Sequence, residues 1–359
     1  MPTASHKVLF DCERMKYAHT GLYHFCWELG QELILQSKGT GLEIELYAKK
    51  KVQQKFKTNP GFLEQSALHK FIMPKLDQWQ LWHATHQATD YYPGNETIPT
   101  VLTVHDLNFL QETNRSKLKK SRALDKLQRK LDKADRVIAI SEFVAQELRQ
   151  NMQIAPANLQ VIYNGCNSNL QQGLAQPKVK PHGVFLFTIG TVLPKKNFQT
   201  LPALLQNNQM QLVIAGSIHD KETQQKILDQ ATSLGVEDRV IFTGPISEAE
   251  KYWYYQHCRA FVFPSLMEGF GLPVVEAMAF GKPLFLSTLT SLPEIGGEIA
   301  FYFQSFEPQQ MQDNLAKGLQ LYDANPAMME QIKLRASHFS WKASAKSYLK
   351  TYHQILNQR

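Results

Sequence analysis

Residues Phe261 to Ile295, FVFPSLMEGFGLPVVEAMAFGKPLFLSTLTSLPEI, set two carboxylates around a helix start. An apolar run, Phe261–Phe263, leads through a Pro-Ser turn into a glycine-bearing loop. Pro273 and Gly281 then bracket a short helix, since proline is favoured at the first helical position and glycine just past the end. The amides of Gly269, Phe270, Gly271 and Leu272 therefore stand at a helix N-terminus, where unpaired N–H groups and the helix dipole favour an anion. Glu268 lies in the loop and Glu276 about one turn into the helix. Two carboxylates beside an anion site repel a phosphate unless they bind something else, and hydroxyl donors suit them. The segment reads as built for a molecule with phosphate and polyol parts, such as a nucleotide sugar. A lone Glu in a first helical turn has a plainer use, stabilising the dipole by roughly 0.3–1 kcal/mol.

A second group, GTVLPKKN (Gly190–Asn197), joins a strand to a predicted helix that Asn197 or Lys196 would cap. The helix dipole disfavours Lys195 and Lys196 at that start, which points to an anion nearby. His105 ends the run VLTVHDL as an exposed strand-end residue beside Asp106, with a hydrogen-bonded structural role or a role in a site. Gly21, in HTGLYHF, permits close backbone approach to an anion. Ser141 and Asn164-Gly165 read equally as cap and turn residues or as site residues.

The strings EGFGLPVVE, EAMAFGKP and SLPEIGGE resemble the E-x7-E region of the retaining GT-B glycosyltransferases of family 4 (group 1). The resemblance spans nearly the whole chain and is dense from Phe185 to Phe303. It implies that Glu268 faces a donor sugar, that Glu276 binds ribose hydroxyls, and that Lys196, with Lys195, binds the donor diphosphate. His105 would orient sugar hydroxyls and stabilise developing positive charge, and Gly21 would lie near the diphosphate. Gly216 and Gly244 would border the nucleobase, while His83, His86 and Gln87 would face the acceptor. Many members carry Arg where this chain has Thr191, which shifts diphosphate charge onto Lys196, Lys195 and the loop amides. The implied reaction moves a hexose, of mannose or glucose type, from a GDP- or UDP-type sugar to a saccharide or lipid-linked acceptor in cell-surface polysaccharide or glycolipid synthesis. The donor is a substrate, so no cofactor is expected. With no Asp-x-Asp motif, no metal is expected. The rival readings are a catalytically silent nucleotide-sugar-binding subunit and a nucleotide-sugar epimerase of similar fold.

A length of 359 residues exceeds one ordinary core, and 43% hydrophobic with 20% charged residues is globular. No apolar run is long enough to span a membrane, and the start MPTASHKVLFDCERM lacks a signal-peptide pattern. Cys12, Cys26, Cys166 and Cys258 show neither metal spacing nor a disulfide framework, as in a reduced cytoplasmic enzyme. The net charge of +7 concentrates at Lys49, Lys50, Lys51, Lys55 and Lys57, and again from Lys117 through Lys119, Lys120, Arg122, Lys126, Arg129 and Lys130 to Lys133. In the second cluster Leu124, Leu127, Leu131 and Ala134 recur at helical spacing. This is either a solvated amphipathic helix or a surface for anionic lipid at the inner face of the cytoplasmic membrane. No recognition motif supports nucleic-acid binding.

To position these residues the chain needs an open α/β sheet in each half. HKVLFDC, LEIELYA, DQWQLWHAT, PTVLTVHDL, ADRVIAIS and LQVIYNG read as strands of the first half. GVFLFTIG, QLVIAG, RVIFTG, AFVFP and PLFLS read as strands of the second. Helices are expected over Trp27–Leu35, Glu142–Met152, NFQTLPALL, Tyr252–His257 and Pro308–Tyr322. The resulting organisation is a Rossmann-like acceptor domain over 1–170, a linker over Cys166–His182, and a Rossmann-like nucleotide-sugar domain over 183–338. The resemblance implies that the two face one another across a cleft and that a helix in 339–359 crosses back to the first.

Overall fold

The computed structural model describes residues 5–17, 20–93, 98–112, 115–166 and 174–358. It divides into two compact units, residues 1–165 with 341–359, and residues 166–340.

The first unit carries a seven-stranded parallel sheet in the order β3-β2-β1-β4-β5-β6-β7. Its strands and helices run β1 (His6–Asp11), α1 (Gly21–Gln36), β2 (Leu42–Ala48), α2 (Lys50–Gln53), β3 (Phe62–Glu64), β4 (Leu81–Ala84), β5 (Thr100–Val104), α3 (Lys117–Leu131), β6 (Arg136–Ala139), α4 (Glu142–Asn151) and β7 (Leu159–Val161). Every residue of β4 and β5 is buried, as expected for strands covered on both faces.

The second unit carries a six-stranded parallel sheet in the order β10-β9-β8-β11-β12-β13. It runs β8 (Phe185–Ile189), β9 (Gln211–Ala215), α5 (Lys221–Ser233), β10 (Val240–Gly244), α6 (Glu248–His257), β11 (Ala260–Phe263), α7 (Leu272–Ala279), β12 (Leu284–Ser287), α8 (Leu292–Gly296), β13 (Phe301–Phe303), α9 (Pro308–Ala324) and α10 (Met328–Ser337). The last helix, α11 (Trp341–Leu356), belongs to the first unit. There it packs on α1, and its buried hydroxyls enter the sheet: Tyr352 lies 2.6 Å from Nδ1 of His83, and Tyr348 lies 3.0 Å from the Thr103 hydroxyl. No helix among the described residues is long and apolar enough to cross a membrane.

Several expectations need correction. The first helix begins at its Thr20 cap, not near Trp27, because the Thr20 hydroxyl accepts the Tyr23 N–H at 3.2 Å. NFQTLPALL forms a 3₁₀ stretch, Phe198–Leu205, since Pro202 lies within it and lacks the N–H a continuous α-helix requires. The proposed linker falls partly on 167–173, outside the described residues. The described remainder lies against α6: Ala175 N–H donates to Ala249 O at 3.3 Å, and Lys178 N–H to Glu250 Oε1 at 3.1 Å. Leu127 and Leu131 of α3 and Ala134 just beyond it are buried as the spacing requires, with Leu124 half-buried, but Lys130 also turns inward. Its ammonium donates to the carbonyls of Gln87, at 2.8 Å, and Thr89, and burial lowers its pKa to about 8.

Candidate active site

In both sheets the strand order reverses beside the first strand, at β1/β4 and at β8/β11. Loops leaving the carboxyl ends of adjacent strands diverge at such a point and leave a crevice. In the second unit those loops carry Lys196, after β8, and Glu268, after β11. The Lys196 ammonium pairs with Glu268 Oε1, both side chains being 14% exposed. The Ser265 hydroxyl donates to the same oxygen at 2.7 Å, and Lys196 sits 5.0 Å from the Phe263 ring centroid. The backbones are tied too, since Leu266 N–H donates to Lys195 O at 2.8 Å.

The sequence predicts these lysines at a helix start. They instead close a 3₁₀ turn, Pro194–Lys196, and Asn197 beyond it adopts a left-handed conformation with no side-chain cap. Asn197 holds the N-cap position of the 3₁₀ stretch Phe198–Leu205 without a side-chain cap bond, and Lys196 lies in the turn before it. Thr191 lies half-buried in the same loop. Gly216 has a φ of +124°, and a Cβ there would fall 2.2 Å from Gly190 O, so only glycine lets the loops after β8 and β9 touch. Gly244 joins the stack by accepting the Gly216 N–H at 2.9 Å.

Helix α7 begins after Gly271, whose φ of +100° is left-handed, and no side chain caps it. Pro273 is the second helical residue, not the first, and Leu272 precedes it. Ser291 fixes the loop by donating to Glu268 O at 3.1 Å and Phe270 O at 3.0 Å. The Phe270 ring is buried edge-on to Phe339, which anchors the loop to the body of the unit.

Glu276 has partners the sequence reading missed. Lys251 donates to its Oε1 at 2.6 Å, and the Tyr255 hydroxyl to its Oε2 at 2.9 Å. Lys251 is 7% exposed and also pairs with Glu248 at 3.0 Å. Burial works against this ammonium, yet Glu276 and then Glu248 hold its pKa above the usual lysine range. Glu248, Lys251 and Tyr255 stand three and four residues apart on α6, so helical spacing alone places them on one face.

In the first unit the expected exposure of His105 is overturned, for only 6% of it is accessible. Its Nε2–H donates to Thr85 O at 2.8 Å, its backbone N–H donates to Gln87 Oε1 at 3.0 Å, and its ring stacks on His86. Burial lowers its pKa to about 4, so the ring is neutral near pH 7. His83 is a core residue held by Tyr352 and Thr103, not an acceptor-facing one. His86 is buried and accepts the Ala88 N–H at 2.9 Å. Gln87 bridges two loops by donating to Asp106 O at 2.8 Å. Gly21 is the exposed first residue of α1. Ser141 caps α4, accepting the Val144 N–H at 3.1 Å.

Two all-parallel sheets, with a paired Lys and Glu at the switch point of the second, define an α/β protein of the GT-B class. Within that class the chain belongs to the family-4, group-1 glycosyltransferases: residues 175–336 match "Glycosyl transferases group 1", and residues 55–170 match "Glycosyltransferase Family 4". It is 31% identical to the serotype-specific mannosyltransferase WbdA of Escherichia coli over 60% of this chain and 28% of WbdA, so it spans under a third of that relative. It is 22% identical to the Escherichia coli O-antigen chain mannosyltransferase B over 96% of this chain and 99% of the relative. Among solved structures, a sucrose-phosphate synthase from Thermosynechococcus elongatus superposes with a TM-score of 0.73 at 20% identity, over 99% of this chain and 100% of that one. Anabaena HepE, solved with UDP and glucose, gives 0.72 at 18%, over 97% and 100%.

Proposed function

We propose that the chain is a retaining hexosyltransferase that moves a mannose-type hexose from a nucleoside diphosphate sugar to a saccharide or lipid-linked acceptor in cell-surface polysaccharide synthesis. The observation that carries this is the meeting of Lys196 and Glu268 at the β8/β11 switch point, beside the uncapped start of α7. The names of the mannosyltransferase relatives support the choice of sugar.

In this reading the bond from the anomeric carbon to the diphosphate oxygen breaks, and Lys196 with the loop amides neutralises the charge that develops on the leaving group. The acceptor oxygen bonds to the same face of the anomeric carbon, and its proton passes to a donor phosphate oxygen. Glu268 accepts hydrogen bonds from the donor hexose and Glu276 from the ribose. His105, as a neutral imidazole, has Nδ1 left to accept a hydroxyl. No divalent metal takes part. Action at the inner face of the cytoplasmic membrane follows if the acceptor is lipid-linked.

Thermal shift with GDP, UDP and ADP tests the donor site, since a ligand at 100 times its Kd adds about 2.7 kcal/mol of stability. Slow hydrolysis of the matching nucleotide hexose then separates a transferase from a silent binding subunit. Interconversion of free nucleotide sugars without an acceptor would establish the epimerase instead.

A further inference from the structure

Leu68, Phe71 and Ile72 are 73%, 86% and 78% exposed, more than any other large hydrophobic residue among those described. Isolated exposed apolar side chains are ordinary, but three within one turn form a patch. The turn is fixed in place. Ser66 caps the 3₁₀ segment Ala67–Lys70, His69 Nδ1 lies 3.1 Å from the Tyr47 hydroxyl, and Lys70 lies over the Tyr91 ring at 5.6 Å. His69 and Lys70 thus hold the turn to the body while the apolar side chains face solvent.

Members of both basic clusters approach this turn. In the β2/β3 pair Ala48 stands opposite Glu64, and Gln65 N–H donates to Ala48 O at 2.9 Å. Lys49, Lys50 and Lys51 therefore leave the end of β2 beside the segment that leads to Leu68. From another side, Lys126 of α3 reaches Asp90 at 2.9 Å, the carboxylate that Lys70 approaches at 3.7 Å. Lys49, Lys50, Lys51, Lys119, Arg122 and Lys126 are all exposed, and the exposed acidic residues of the same segments are Glu64, Asp77, Asp90 and Asp125.

The geometry points to a docking surface for an anionic bilayer: Leu68, Phe71 and Ile72 enter the boundary between headgroups and acyl chains, and the surrounding lysines meet the anionic headgroups. A bilayer accepts protruding apolar side chains without a shaped pocket, and the basic rim supplies the charge complementarity. The surface rests on the proposed function only for the reason a membrane is visited.

The test is sedimentation of the full chain with vesicles of phosphatidylglycerol and phosphatidylcholine, or of phosphatidylcholine alone, at low and high salt. Salt-sensitive binding to the anionic vesicles is expected. Phe71→Ser with Ile72→Ser, and separately Lys50→Glu with Lys119→Glu, should each lower partitioning at least about tenfold while nucleoside diphosphate binding stays unchanged. Phe71→Trp should gain a blue-shifted emission component with anionic vesicles. Parent-like partitioning of the serine variant, or unshifted Phe71→Trp emission, overturns the proposal. So does conversion of a dimer to a monomer by the serine variant without any vesicle binding, which would assign the patch to a second copy of the chain. Vesicle binding without nucleotide binding would sink the donor reading and leave the docking surface standing.

Discussion

Lys196 and Glu268, 72 residues apart in sequence, share an ion pair at the carboxyl ends of β8 and β11. The cation read as the diphosphate partner and the carboxylate read as the sugar partner are therefore linked before any ligand arrives. On that reading, a diphosphate entering beside them would compete with Glu268 for one ammonium.

Opposite effects on binding follow for the two members. Lys196→Ala removes the cation and leaves Glu268 to repel phosphate, so transfer should slow at least about tenfold and nucleoside diphosphate affinity should fall, in line with about 1.5–3 kcal/mol for a charged hydrogen bond. Glu268→Gln frees the ammonium, so diphosphate affinity should hold or rise while transfer falls. Thr191→Arg should tighten diphosphate binding by adding a second cation. Calorimetry with steady-state rates measures all three, and a parallel loss of affinity in both single variants would break the assignment.

Glu276 should depend on Lys251. Glu276→Gln is expected to weaken nucleoside diphosphate binding by about tenfold or more, through the lost charge. Lys251→Met leaves the carboxylate facing Glu248 without the cation that holds it. Nucleotide affinity of that variant should fall at least about tenfold, in line with the loss of one charged hydrogen bond. An unchanged affinity would reduce Lys251 to a packing role.

The first unit should be acid-sensitive. Burial holds His105 at about 4 and His83 at about 3, against an ordinary value of 6.5, and takes His86 well below it. Below about pH 6.5 the unfolded chain binds protons that the folded chain refuses, so this stability is present above that pH and is lost toward pH 4. Asp11, raised by burial to about 7, acts in the other direction, its contribution fading as pH rises from about 4 to about 7. Three histidines outweigh one aspartate, so the melting temperature should drop from pH 6.5 to pH 4, and more steeply in Asp11→Asn. A melting temperature constant across that range would contradict the buried, neutral histidines.

Turnover should survive chelation. The charge that develops on the leaving diphosphate is assigned to Lys196 and the loop amides, so EDTA should leave the initial rate unchanged. Loss of activity restored by magnesium or manganese would overturn that assignment.

The sequence by itself carried what depends on local order. Strand patterns such as LEIELYA and PLFLS, the proline and glycine bracketing α7, and the one-turn spacing that puts Glu276 inside that helix are all set by neighbours in the chain. It was weaker where local preference is faint. Helix α5 buries only Thr223, Ile227 and Ala231, and β3 is three residues long, too little pattern to read. Tertiary structure alone decided the rest. The Lys196–Glu268 pair exists because β8 and β11 are neighbours in the sheet though not in the chain. Lys251 meets Glu276 because α6 and α7 are brought together around the same sheet. His105 is buried, and Lys130 turned inward, because residues distant in sequence supply the carbonyls they need. Periodicity reports which face of an element is apolar, but a buried polar group is fixed by its partners, and those are chosen only when the chain has folded.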